Sequence, residues 1–173
     1  MSKLIFIGTL HAGLTPHKEL QEVLGHYKPE VLLIEIQQID IASNTLSKYP
    51  DEMVFALSWA HEKGISVYGF DSPIDVFAKG RGEKENQAVI EEQKEILKSF
   101  SWKDANKQEV CDKLYTSSAK TLVNPAKDKE REEEMLKNVK NRITDQATIV
   151  VVTGSGHLQF FEKHFPDALF PLR

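Results

Sequence analysis

The sequence predicts a single α/β domain over residues 1–173, with a mostly parallel central sheet of about five strands flanked by helices. Two observations carry that prediction. Continuous apolar runs of strand length recur along the chain, as expected of strands buried on both faces. Between them lie segments whose apolar residues fall at helical spacing, the alternation that produces right-handed crossovers. A chain of 173 residues is also long enough to bury one sizeable core and too short for two ordinary domains.

Leu4-Ile5-Phe6-Ile7, ended by Gly8, is the first strand. Thr15-Pro16 then reads as a helix N-cap with proline at the first helical position, and Leu20, Val23 and Leu24 carry the apolar face to a stop near Gly25. Pro29 precedes the second strand, Val31 to Ile36, in which Glu35 is the one charged residue. Pro50 and Asp51 start a helix through Met53, Ala56, Leu57 and Ala60, and Gly64 stops it before the third strand, Ile65 to Phe70. From about Glu83 to Ile143 the chain is charged and poor in strands. It reads as a helical insertion of about three helices, broken near Ser99 to Trp102 and at Asn124-Pro125, lying over one end of the sheet with its Lys and Glu runs on a solvated face. The β pattern resumes at Thr148 to Val152, a short helix follows from His157 to His164, and Ala168 to Leu172 is expected as a final edge strand.

Composition removes several function classes. With 22 Lys and Arg against 26 Asp and Glu the net charge is −4, so there is no basic surplus for nucleic acid. No apolar window is long enough to span a bilayer, the mean hydropathy is negative at −0.38, and the short run after Met-Ser-Lys falls below a signal-peptide core. A soluble, cytoplasmic protein without membrane partners is the expectation. Cys111 is the only cysteine. It allows neither a disulfide framework nor a cysteine zinc site, and it reads as a thiol packed on a helix. The oligomeric state is left open, homo-oligomers included.

In open parallel sheets, ligands bind beyond the carboxyl ends of the strands. Four polar groups fall there: His11 after the first strand, Glu35 at the end of the second, Asp71 after the third, and Gly154-Ser155-Gly156-His157 after the fourth. Gly8-Thr9-Leu10-His11 and Gly154-Ser155-Gly156-His157 share one spacing, in which a glycine is expected to turn the chain off the strand and the imidazole to project over the sheet end. Taken alone, a histidine after a strand is more often a hydrogen-bonded loop residue; two in equivalent places with a carboxylate between them favour a site. Glu35 interrupts an apolar run and needs a cationic or metallic partner, because an unpaired buried charge is costly. On the helix from about Ala126 to Asn141, Met135, Val139 and Ile143 form the apolar stripe, and Arg131 and Glu132 stand one turn before it, within reach of the site. His17, in the first turn of its helix, is an accessory candidate; His26, His61 and His164 carry little weight.

Gly8-Thr9-Leu10-His11, the strand ending at Glu35, Arg131-Glu132-x-x-Met135 and Gly154-Ser155-Gly156-His157-Leu158 together resemble the TraB/Tiki superfamily, which includes erythromycin-esterase-like and ChaN-like proteins. The order of the motifs matches, and the resemblance spans residues 8 to 158. It implies a hydrolase of peptidase or esterase type. In Tiki-like members two Gly-x-x-His motifs and a Glu are taken to hold a divalent metal, which corresponds to His11, His157 and Glu35 here; manganese, cobalt and zinc all suit such ligands. Arg131 is then expected to stabilise an oxyanion. The esterase-like branch uses a His as base on an ester, which corresponds to a metal-free site with His11 oriented by Glu35. ChaN-like members bind haem, so a non-catalytic module holding haem or a small anion is the alternative. The chain departs from the pattern in carrying Arg131-Glu132 where relatives usually have Arg-Asp, and in being shorter than most members. The substrate is expected to be a small molecule or a peptide. A nucleotide-binding reading of Gly154-Ser155-Gly156 is weaker, for the loop has neither a P-loop lysine nor a full dinucleotide fingerprint.

Overall fold

The computed structural model describes residues 3–76, 83–115, 123–144 and 147–173. Strands β1 (Lys3–Thr9), β2 (Val31–Ile34), β3 (Ser66–Gly69) and β4 (Thr148–Gly154) form one parallel sheet in the order β1-β4-β2-β3. The α/β class is as expected, but the sheet has four strands rather than five. The segment around Leu169 makes a single parallel bridge to Ile5, with Phe6 N–H donating to Leu169 O at 2.8 Å and Leu169 N–H to Leu4 O at 2.9 Å. Pro166 and Pro171 flank it and have no N–H to extend a ladder, so the bridge covers the β1 edge without becoming a strand.

Side chains alternate across the sheet because successive Cβ atoms of a strand point to opposite faces. Ile5, Ile7, Leu32, Ile34, Val150 and Val152 pack on one face with Leu20 and Leu24 of α1 (His17–Tyr27) and with Met53, Ala56, Leu57 and Ala60 of α3 (Asp51–Glu62). Phe6, Leu33, Ile149 and Val151 pack on the other with Met135 and Val139 of α6 (Pro125–Lys140) and Leu158 and Phe161 of α7 (Leu158–His164). Phe6 anchors the second layer, its ring 5.0 Å from those of both Phe161 and Phe170. The short helix α2 (Gln38–Ser43) follows β2.

Thr15 does not cap α1. Pro16 holds the N-cap position, and the Thr15 hydroxyl instead accepts from Leu10 N–H and donates to Leu10 O, both at 2.8 Å. That clasp closes the turn that carries His11, whose reversal is made by Ala12 at φ 60° and Gly13 at φ 72°. The helix also runs past Gly25 to Tyr27 and ends where Lys28 adopts a left-handed conformation.

The expected insertion from Glu83 to Ile143 contains, among the described residues, α4 (Glu83–Leu97), a 3₁₀ turn (Trp102–Asn106), α5 (Gln108–Leu114) and α6. Residues 116–122 of it lie outside the described residues. Both predicted breaks have local causes. Ser101 and Asp104 form a reciprocal capping box, and Asn124 accepts from Ala126 and Lys127 N–H with Pro125 at the first helical position. The insertion is fastened to the sheet end by Asn106, whose side chain accepts from Gly8 N–H at 2.8 Å and donates to Gly8 O at 3.0 Å.

Gly8 therefore has a different task from the one expected of it. It lies within β1 and does not turn the chain; a Cβ there would meet Leu158 Cδ1 at 2.7 Å, Asn106 Oδ1 at 2.8 Å and Ser155 Cα at 2.9 Å. Gly8→Ala is expected to lower stability by about 1–3 kcal/mol through overpacking, read as a lower denaturant midpoint at unchanged slope. An unaltered midpoint would show that the contact is not demanding. No helix among the described residues is long and apolar enough to cross a membrane.

Candidate functional site

The strand order decides the site. Because β4 is inserted between β1 and β2, the segments that leave the carboxyl ends stand side by side in the order His11, Gly154 to His157, Glu35, Asp71. They line one cavity of about 550 Å³, together with Arg131 and Glu132 of α6, Lys48, Tyr49, Tyr115 and Asp128.

Glu35 is the centre of this arrangement and is only 6 % exposed. One carboxylate oxygen accepts from the Thr153 hydroxyl at 2.6 Å and from Gly154 N–H at 2.7 Å; the other accepts from Arg131 Nη2 at 2.7 Å. Burial works against its charge, but His157, Arg131 and His11 outweigh it and hold the carboxyl well below the usual carboxylate range. Arg131 also donates through Nε to Asp71 Oδ1 at 2.8 Å, and its Nη1 stands 3.3 Å from His157 Nε2. Two carboxylates thus share one guanidinium. Asp71 is pushed upward by burial and by Glu35 despite Arg131, and burial, which alone would lower Arg131, is overcome by Glu35 and Asp71.

Each histidine has its own carboxylate. His11 Nδ1 is 2.6 Å from Glu52 Oε1, and His157 Nδ1 is 2.8 Å from Glu132 Oε1. A carboxylate can only accept, so in both pairs Nδ1 carries the proton, which leaves Nε2 of His11 unprotonated beside Gly154 and Nε2 of His157 beside Arg131 and Glu35. Burial disfavours the imidazolium in both rings. Glu52 and Glu35 outweigh that for His11, and Glu35 and Glu132 for His157, so both pKa values lie above 6.5. The two rings differ in access: 48 % of the His11 side chain is open, against 13 % for His157. His11 Nε2 is 3.4 Å from where a Cβ on Gly154 would stand, an ordinary contact distance, and Gly154 lies within β4 rather than turning the strand.

The metal set implied by the resemblance fits poorly. His157 Nε2 stands 3.6 Å from Glu35 Oε1, but the positive charge of Arg131 lies against both groups, and every oxygen of Glu35 already has a partner. Among the described residues no three His, Cys, Asp or Glu side chains come together as a metal site.

His11, Glu35, Asp71, Arg131, Glu132 and His157 are all brought together as expected from the sequence. His17 is not; it pairs with Asp51 at 3.1 Å and stacks on Phe55 away from the cavity lining. Cys111 is buried against Ser155 O at 3.7 Å, and burial pushes its thiol up to about 11, as suits a packing residue. Glu52 and Tyr115 are not legible as site residues in the sequence. For Glu52 the signal is present, since it stands four residues before Ala56 on the buried stripe of α3, where a carboxylate needs a partner.

No family model, curated protein or solved structure matches the chain. The chemistry is accordingly read from the side chains themselves. They supply a half-open imidazole with an oriented proton, a fixed positive charge in a partly buried setting, and a cavity beside both. Such a set can take a proton from water and stabilise a negative charge developing nearby.

Proposed function

We propose that the chain is a hydrolase of esterase or peptidase type, related to the TraB/Tiki superfamily, in which His11 acts as general base on water. The observation that carries this reading is the His11–Glu52 pair. Its proton is fixed on Nδ1 by a fully buried carboxylate, while the half-open ring lines the cavity with Nε2 unprotonated. Glu52 takes the orienting part expected of Glu35, and Glu35 instead holds Arg131 in place.

In the reaction, His11 Nε2 accepts a proton as the water oxygen bonds to the acyl carbon. The carbonyl electron pair moves onto oxygen, facing the positive charge of Arg131, and returns as the bond to the alcohol or amine breaks. The leaving group takes up the proton from the imidazolium of His11, which returns to its neutral form. No step passes through a metal, in keeping with the engaged ligand set.

Hydrolysis of nitrophenyl ester and aminoacyl nitroanilide panels by purified protein tests the reading. Activity is expected to survive exhaustive EDTA treatment and to gain nothing from added manganese, cobalt or zinc. Activity abolished by chelation and restored by one metal would overturn the metal-free scheme. Absence of turnover, combined with ligand affinity that His11→Ala alters, would instead establish a binding module.

A further inference from the structure

We infer that the Tyr115 hydroxyl is a hydrogen-bond donor to the negatively charged oxygen of a tetrahedral acyl intermediate, reached across Gly156; this rests on the hydrolytic reading and names a further catalytic residue within it.

Three observations converge on this phenol. Tyr115 follows α5 and lines the cavity beside Gly156 and His157. Its ring lies over the Gly154-Ser155-Gly156-His157 turn so closely that a Cβ on Gly156 would overlap the hydroxyl and ζ-carbon and stand 3.0 Å from Cε2. The second glycine of that motif is thus a seat for the phenol, a role its backbone conformation does not demand, since Gly156 has no positive φ. Finally, the hydroxyl has no hydrogen-bond partner among the described residues, and Tyr115 is 39 % exposed where it lines the cavity. An O–H on a cavity wall that no described residue engages is open to a ligand that displaces water.

Its surroundings fix what it can offer. Desolvation, then Cys111, Glu35, Asp128 and Glu132 nearby, raise its pKa, so the phenol stays protonated and acts as a neutral donor. The scheme above needs such a donor. Arg131 already directs Nε and Nη2 at Asp71 and Glu35, with Nη1 beside His157, so its charge is available to an oxyanion but its geometry is largely committed. A phenol held against Gly156 in the wall of the same cavity would complete an oxyanion site that Arg131 alone leaves partial.

The test is Tyr115→Phe, read in two ways. On 4-nitrophenyl acetate, kcat is expected to fall about 100-fold with KM nearly unchanged, the signature of an interaction made in the transition state. Titration with phenyl methylphosphonate, a stable mimic of the tetrahedral intermediate, is expected to show weakening by a comparable factor in Tyr115→Phe, with acetate affinity unaltered. Gly156→Ala, which displaces the phenol without removing it, should reproduce the loss in part. Equal phosphonate affinity in wild type and Tyr115→Phe overturns the assignment, as does a wild type that does not bind the phosphonate. A KM rise without loss of kcat also overturns it. If no ester is turned over but Tyr115→Phe still weakens the phosphonate, the donor stands and the hydrolytic reading fails. Unchanged far-ultraviolet circular dichroism and melting separate these results from misfolding.

Discussion

Replacing Arg131 by leucine is expected to lower the stability of the chain by about 3–5 kcal/mol, because it strands the buried carboxylate of Glu35 and the half-buried one of Asp71 that now share its guanidinium. At about 2–4 °C per kcal/mol for a domain of this size, the melting midpoint should fall by about 6–20 °C. The side chain of Arg131 is only 14 % exposed, so solvent cannot replace it cheaply at Glu35. Calorimetry or a circular dichroism melt reads the shift. Adding Glu35→Gln to Arg131→Leu should recover part of it, since a neutral amide in that place carries no uncompensated charge; a double variant as unstable as the sum of its parts would deny the coupling. The sign with pH follows from the depressed carboxyl of Glu35. Its stabilising contribution is present above the ordinary carboxylate value and is lost as pH falls toward the folded pKa.

The second large effect belongs to His11. His11→Asn is expected to reduce hydrolysis about 10²- to 10⁴-fold, while melting changes little because the ring is half open and the asparagine amide can donate to the buried Glu52 in place of Nδ1. A base works deprotonated and the His11 pKa is raised, so kcat/KM should climb with pH along a limb whose inflection lies above 6.5. Glu52→Gln removes the charge that holds the pKa up and should move the inflection to lower pH with a fall in kcat. A wild-type inflection at or below 6.5, or one that Glu52→Gln leaves in place, would remove Glu52 from its positioning role.

Much of the fold was written in the local pattern. The apolar runs of β1, β2 and β4 are buried on both faces and could be nothing but interior strands, and both helix breaks of the insertion carried their own capping residues. The edge segment at Leu169 reads as a strand because its apolar residues do pack, against Phe6, while its flanking prolines keep the single bridge from extending into a ladder. Thr15-Pro16 misled for a related reason: a threonine hydroxyl serves a cap or a loop equally well, and the Leu10 backbone stood closer than the start of α1. Of the motif glycines, Gly8 and Gly156 supply space for Leu158 and Tyr115 rather than a turn, whereas a Cβ on Gly154 would meet His11 at ordinary contact distance.

The candidate site divides in the same way. Chemical type and local periodicity were enough to mark His11, Glu35, Asp71, Arg131, Glu132 and His157, because a polar group at the end of an apolar strand, or one turn before a helical stripe, needs a partner. Which partner each one takes is a matter of packing between segments far apart in the chain. The insertion of β4 between β1 and β2 sets His157 beside Glu35, the docking of α6 lays Arg131 against both, and the packing of α3 on the layer of His11 gives it Glu52. No periodicity along the chain encodes those three neighbours, since pairing order and layer contacts arise only when the whole sheet closes over its two cores.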